Sequence, residues 1–212
     1  MKVLNLYAGI GGNRKLWEDV EVTAVEWDEK IASIYQDFFP EDTVIVADAH
    51  QYLLEHFKEY DFIWSSPPCP THSRARFWGS KGGLEYEPPV YPDMKLYEEI
   101  LFLEHYYDGK HCVENVKSYY NPLIKPQELG RHYFWANFLI RDKRIEDYHQ
   151  HHGDMKELAN RKGFDLSKYS GVDKRNILRN CVEPEIGLVV LDSLRGNTQQ
   201  TLTELIVVDE VS

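Results

Sequence analysis

One of the three cysteines stands in a setting unlike the other two. Cys69 lies in Ser65-Ser66-Pro67-Pro68-Cys69-Pro70, directly behind the apolar run Asp61–Ser65. Three prolines around a core cysteine would be an odd way to finish a buried strand. A proline-fixed loop at the ligand edge of a sheet, by contrast, can hold a thiol partly exposed with a lowered pKa, as a nucleophile requires. Cys112 and Cys181 read as small buried hydrophobes. The tetrapeptide Val113-Glu114-Asn115-Val116 ends another apolar run. A carboxyl there, on a neighbouring strand end, would have its pKa raised by burial and remain a proton donor. Cys69 and Glu114 together form an acid–nucleophile pair.

A third feature is Ala8-Gly9-Ile10-Gly11-Gly12, straight after the apolar run Val3–Tyr7. Glycines at that place let a backbone approach a ligand closely. Glu26 ends the second apolar run, where a carboxylate accepts hydrogen bonds from ribose hydroxyls. Asp48 ends the third and can take a contact from an exocyclic amine. A tight turn and two ordinary acids would explain each feature alone. The three together point to a nucleoside-bearing cofactor.

These residues need a scaffold, and the first half of the chain supplies one. Strands are predicted at Val3–Tyr7, Val22–Glu26, Val44–Ala47 and Asp61–Ser65, with helices through Trp17, over Ile31–Phe39 and over His50–Phe57. A helix closing at Phe102–Tyr107, a fifth strand at His111–Val113 and a sixth at His132–Ile140 follow. This β-α-β-α cadence predicts an α/β fold, a mostly parallel sheet with helices on both faces. The cadence stops near residue 141. The polar stretch after it reads as a small insertion, and Pro184–Leu194 as a helix, with Thr201–Val208 a last helix or strand. We expect a catalytic and cofactor-binding core at 1–140, an insertion at 141–180 and a C-terminal segment, 181–212, returning to the core.

Composition narrows the class. The 212 residues suit one domain, and 13% aromatics argue against disorder. No apolar run approaches the roughly 18 residues of a membrane helix, and the N-terminus reads into a strand rather than a secretory signal. Three cysteines without a CxxC pair argue against a disulfide framework or a cysteine-based zinc site, so a cytoplasmic setting is expected. The net charge of −11 disfavours a non-specific nucleic-acid coat. Two segments run against it. Residues 70–83 hold Arg74, Arg76 and Lys81 with no acid, and residues 141–180 hold ten Lys or Arg against seven Asp or Glu. Arg74 and Arg76, just past the Cys loop, are candidates for nucleic-acid contact. The cluster His149, His151 and His152 fits no firm ligand spacing, and no metal is expected.

The ordered set Leu6-Tyr7-Ala8-Gly9-Ile10-Gly11-Gly12, Glu26-Trp27, Asp48-Ala49, Pro67-Pro68-Cys69, Glu114-Asn115-Val116 and Gly196-Asn197 resembles the cytosine-C5 methyltransferases. The resemblance implies a Rossmann-like domain that binds S-adenosylmethionine through Tyr7, the glycine loop (Ala8 to Gly12), Glu26, Trp27, Asp48, Ala49, Pro67 and Asn197. It implies that Cys69 attacks C6 of a cytosine flipped out of double-stranded DNA while Glu114 protonates or hydrogen-bonds N3. Asn115 would brace the Pro-Cys loop. Arg131 is the candidate for the family's phosphate- or base-contacting arginine.

Several positions depart from the family pattern. Pro70 stands where many members carry Gln, His72 stands where an aromatic is frequent, and the Arg-x-Arg element is only partly present. The stretch available for target recognition is short. A small prokaryotic or phage DNA methyltransferase, as in restriction-modification, is the leading reading. An RNA cytosine-C5 methyltransferase, a catalytically weak subunit paired with a separate recognition subunit, and an NAD-dependent oxidoreductase are the alternatives. The last would leave Cys69 and Glu114 idle.

Overall fold

The computed structural model describes residues 1–74, 91–141 and 154–196. Five parallel strands form its centre: β1 (Lys2–Leu6), β2 (Glu21–Glu26), β3 (Thr43–Val46), β4 (Phe62–Ser65) and β5 (Lys110–Val116). Two further strands, β6 (Gln127–Leu129) and β7 (His132–Ala136), extend the sheet antiparallel beyond β5. The order is β3-β2-β1-β4-β5-β7-β6. The chain leaves β1 in one direction and resumes at β4 in the other, so a crevice opens outside the carboxyl ends of β1 and β4. The α/β architecture expected from the cadence is present. β6 was not foreseen, because three residues give no readable alternation.

Alternate residues of each central strand feed two cores. Leu4, Leu6, Ile63 and Val113 pack against α2 (Ala49–His56) and α3 (Lys95–Tyr106) through Leu53, Leu96, Ile100 and Leu103. Val3, Val22, Phe62, Trp64 and Phe134 face α6 (Pro184–Arg195), which contributes Ile186, Val189, Val190 and Leu191.

The helix expected to run through Trp17 is absent. Residues 12–16 form successive turns, with Lys15 N donating to Gly12 O and Trp17 N to Arg14 O. The sheet face that a crossover helix would cover is taken by α6. Gly187 of that helix lies so close to the loop that a Cβ there would sit 2.0 Å from the Asn13 carbonyl oxygen, and Trp17 Nε1 donates to Gly187 O at 2.9 Å.

The polar stretch after residue 141 also has more order than its composition suggested. Its described part carries α4 (Met155–Lys162) and α5 (Lys174–Asn180). Leu158, Phe164, Leu166 and Leu178 from this stretch share one buried cluster with Ile10 and with Ile34 of α1 (Glu29–Phe38). Thr201–Val208 lies outside the described residues.

Candidate functional site

The turn after β1 begins the site. Tyr7 has a φ of +56°, a left-handed backbone unusual for a bulky side chain, and its hydroxyl donates to Glu99 Oε1 at 2.5 Å. Glu99 is fully buried on α3 and also accepts from Ser65 Oγ at 2.6 Å and pairs with His50 Nδ1 at 3.0 Å. One carboxylate thus ties the ends of β1 and β4 to the start of α2. Burial, then the Glu99 charge, pushes the Tyr7 phenol far up. The hydrogen bond to Glu99 raises His50 above its usual value.

Six of the residues expected to hold a cofactor line a single cleft beside this knot: Tyr7, Glu26, Trp27, Asp48, Ala49 and Pro67. Its empty volume is about 710 Å³, open mouth included. Glu26 Oε2 accepts from Gly9 N at 2.9 Å and Oε1 from Asp28 N at 3.1 Å, which fixes the carboxylate at the end of β2. Asp48 caps α2, its Oδ1 accepting from Gln51 N. Trp27 is 79% exposed at the rim, an indole in position to cover a ligand rather than to pack a core.

The glycine loop divides by role. Gly9, at φ +55°, has open space where a Cβ would go, so its backbone is free for close approach. A Cβ on Gly11 would fall 2.4 Å from Phe39 Cε2, and one on Gly12 would fall 2.2 Å from Val182 O. Those two glycines therefore serve packing against α1 and the segment before α6. The side chains of Ala8 and Ile10 are buried in core clusters, which leaves only their backbone to meet a ligand. Asn197 lies outside the described residues. Pro68, His72, Asp93, Lys95 and Leu96 complete the cleft and were not anticipated.

Cys69 follows four residues behind β4, partly buried, and its carbonyl accepts from His72 N and Ser73 N at 2.9 and 3.0 Å. Burial and the Glu114 charge push its thiol up. That reverses the expected lowering. The physical reason is burial first, and then that the charged group acting on Cys69 is a carboxylate. Glu114 stands near the carboxyl end of β5, two residues before Val116, and is 5% exposed. Burial raises its pKa to about 7, against smaller downward pulls from the Ser66 side chain and Lys162. It is thus half protonated near neutrality, as expected of a donor. Protonating Glu114 also removes the repulsion that holds the Cys69 thiol up, so the two groups titrate as a linked pair. Asn115 Nδ2 donates to Pro67 O at 2.9 Å, the brace across the Cys loop that the motif implied.

The register β5–β7 pairs Val116 with His132 and Glu114 with Phe134. It sets His132 beside the acid, with Nε2 3.7 Å from Glu114 Oε1. Burial and the charges of Arg131, Lys162 and Lys117 lower His132 to about 4, so it is neutral at pH 7. The groups acting on Arg131 are Glu183, Arg161 and Arg179. Arg161 and the buried Lys162 both pair with Glu183, at 2.8 and 3.4 Å, so one carboxylate is shared by two cations. Arg74 Nε donates to the Ser118 carbonyl at 2.9 Å, which fastens the stretch behind Cys69 to the stretch behind β5. Arg76 and the cluster His149, His151 and His152 lie outside the described residues.

Sequence reasoning missed Glu99, His72, His132 and Lys162. Glu99 carried a signal, an acid within the apolar helical stripe Leu96, Ile100 and Leu103. The others carried none, since their significance lies in which segments meet.

A doubly wound sheet with a cleft at its switch point and two acids at strand ends defines the class, a Rossmann-like methyltransferase fold. The Entamoeba histolytica methyltransferase EhMeth shares it at 12% identity, with 93% of this chain and 98% of that one covered and a TM-score of 0.54. Residues 1–87 match the family of C-5 cytosine-specific DNA methylases, in agreement with the resemblance carried by the motifs. A Spodoptera frugiperda DNMT2 mutant is 27% identical across 57% of this chain, at a TM-score of 0.39. This chain spans only 37% of that neighbour's length. No curated protein matches the chain significantly.

The family match implies S-adenosylmethionine as the cofactor, and the cleft fits it. Carboxylates at Glu26 and Asp48, the rim indole of Trp27 and the apolar Leu96 line it, and Gly9 has open space where a Cβ would go. Among the described residues no helix is long and apolar enough to cross a membrane.

Proposed function

We propose that this protein is a DNA cytosine-C5 methyltransferase. The observation that carries the reading is the pairing of Cys69 with a buried, half-protonated Glu114 on adjacent strand ends, next to the cofactor cleft. S-adenosylmethionine, when bound, supplies an electrophilic methyl group. Carbon 5 of cytosine is a poor nucleophile, and the chain's task is to make it a better one. The proton on Glu114 goes to N3 of the base, which makes C6 electrophilic. The Cys69 thiol gives its proton to solvent as its sulfur bonds C6, and the ring becomes an enamine whose C5 carries the electron density. Once C5 is methylated, its proton is lost to solvent, the Cys69 sulfur leaves and the N3 proton returns to Glu114, which restores the aromatic ring and the acid.

Asn115 holds the Pro67 carbonyl and so fixes the Cys69 loop against β5. Arg131, whose charge is felt by Arg161 and Arg179, belongs to a cationic group suited to the phosphates that flank a flipped base. Within 141–180 the described residues form two short helices on the core. Support by a separate recognition subunit is consistent with that arrangement.

The test is methyl-labelled S-adenosylmethionine offered with duplex DNA or with total RNA, using the wild type and Cys69→Ser. Label in DNA as 5-methylcytosine, lost in the variant, is the expected result. Label confined to RNA would reassign the substrate, and transfer by Cys69→Ser at near wild-type rate would remove the covalent step.

A further inference from the structure

Glu99 is fully buried on α3, among the side chains of Leu96, Ile100 and Leu103 that the helix gives to the core. A leucine at this position would pack without the cost of drying an acid, and buried ionic groups are often exchanged for apolar ones at no loss of stability. Packing therefore does not explain the carboxyl group. Its partners do. Oε1 accepts from the Tyr7 hydroxyl at 2.5 Å and lies 3.0 Å from His50 Nδ1, and Oε2 accepts from Ser65 Oγ at 2.6 Å. The three partners come from three separate segments, and each segment carries part of the cleft wall. Tyr7 lines the cleft itself, Asp48 and Ala49 immediately precede His50, and Pro67 stands two residues beyond Ser65. The helix that bears Glu99 adds Leu96.

The backbone of Tyr7 is a second, independent sign. A side chain at a φ of +56° persists only where its surroundings enforce it, and such positions gather at ligand clamps. The bond from its hydroxyl to Glu99 helps to hold it there. We infer that Glu99 is a positioning residue for the cofactor: from behind the cleft it fixes Tyr7, the start of α2 and the Pro67 loop at the separations that bind S-adenosylmethionine. It touches no ligand in this role and acts through Tyr7, His50 and Ser65. Because these bonds are made before the ligand arrives, the walls need little ordering on binding. The inference rests on the reading that the cleft holds S-adenosylmethionine.

Calorimetry with S-adenosylmethionine and S-adenosylhomocysteine tests it on the whole chain, at a temperature well below the unfolding midpoint of each variant. Wild type that binds neither would overturn the cofactor reading itself. With wild type binding, Tyr7→Phe, which keeps the ring and deletes the hydroxyl, should weaken both ligands roughly tenfold, the worth of one hydrogen bond to a charged group. Glu99→Gln disturbs all three links and should weaken them at least as much. The double variant should match Glu99→Gln within about twofold, because Tyr7 depends on Glu99 for its place. Bonds that served the fold alone would lower the unfolding midpoints and leave each Kd within about twofold of wild type, and that result would overturn the inference. So would losses that multiply in the double variant, since Tyr7 would then act independently of Glu99. If Glu99→Gln fails to fold, Tyr7→Phe and Ser65→Ala decide. Both should weaken binding, and an unchanged Kd in either would overturn the inference.

Discussion

Replacing Glu114 with Gln should make the protein inactive and, at alkaline pH, more stable. Burial raises the acid from 4.5 to about 7 in the folded protein. Between those values the native state holds a proton that the unfolded chain has released, so stability falls as pH rises through this window. The penalty is absent below about pH 4, where both states are protonated, and complete above about pH 8. A shift of about 2.5 units at about 1.36 kcal/mol each makes the full penalty roughly 3 kcal/mol. Gln keeps the shape and cannot ionise. Its pH-independent effects cancel when the difference in unfolding free energy between variant and wild type is compared at pH 8 and pH 4. Denaturant titrations at a series of pH values should show that difference growing by about 3 kcal/mol in favour of Glu114→Gln. A difference that stays flat from pH 4 to pH 8 would refute the buried, proton-holding acid. Methyl transfer by the wild type should fall about tenfold per pH unit above 7 if protonated Glu114 is the working form.

Two further results are expected from the packing around the site. Gly187→Ala would drive a methyl into the Asn13 carbonyl, backbone against backbone, and should cost more than 3 kcal/mol or abolish folding. Gly9→Ala has open space and only its φ of +55° to strain, so it should cost about 1 kcal/mol; equal losses in chemical denaturation would count against this geometry. The pair His50–Glu99 gives a pH signature of the opposite kind. Because His50 is raised in the folded state, its contribution is full below about pH 6.5 and is lost as pH rises through the raised value. His50→Gln should flatten that part of the stability curve, and a curve identical to wild type would remove the ion pair.

The sequence carried the chemistry of the site further than its surroundings. Glu26, Asp48, Cys69 and Glu114 each stand at the end of an apolar run, and parallel strands must present their carboxyl ends on one edge, so their convergence follows from periodicity and chain direction. Asp154, Glu157 and Gly163 likewise announce the start and stop of α4, whose Asp154 side chain accepts from Glu157 N and whose Gly163 has a φ of +67°. Those signals were readable, and the polar composition hid them.

What no pattern in the sequence contains is which distant segments share a wall. The crossover helix expected after the glycine loop gives way to α6, more than 170 residues away, because an apolar face there must be covered and nothing local requires a nearby helix to do it. The register of β7 decides that His132 neighbours Glu114. The sign of the Cys69 shift was misjudged for the same reason, since a thiol's pKa depends on the charges and burial around it rather than on its own loop. Local sequence determines element type and the residues at element ends. The environment that sets their protonation arises only when the chain has closed over them.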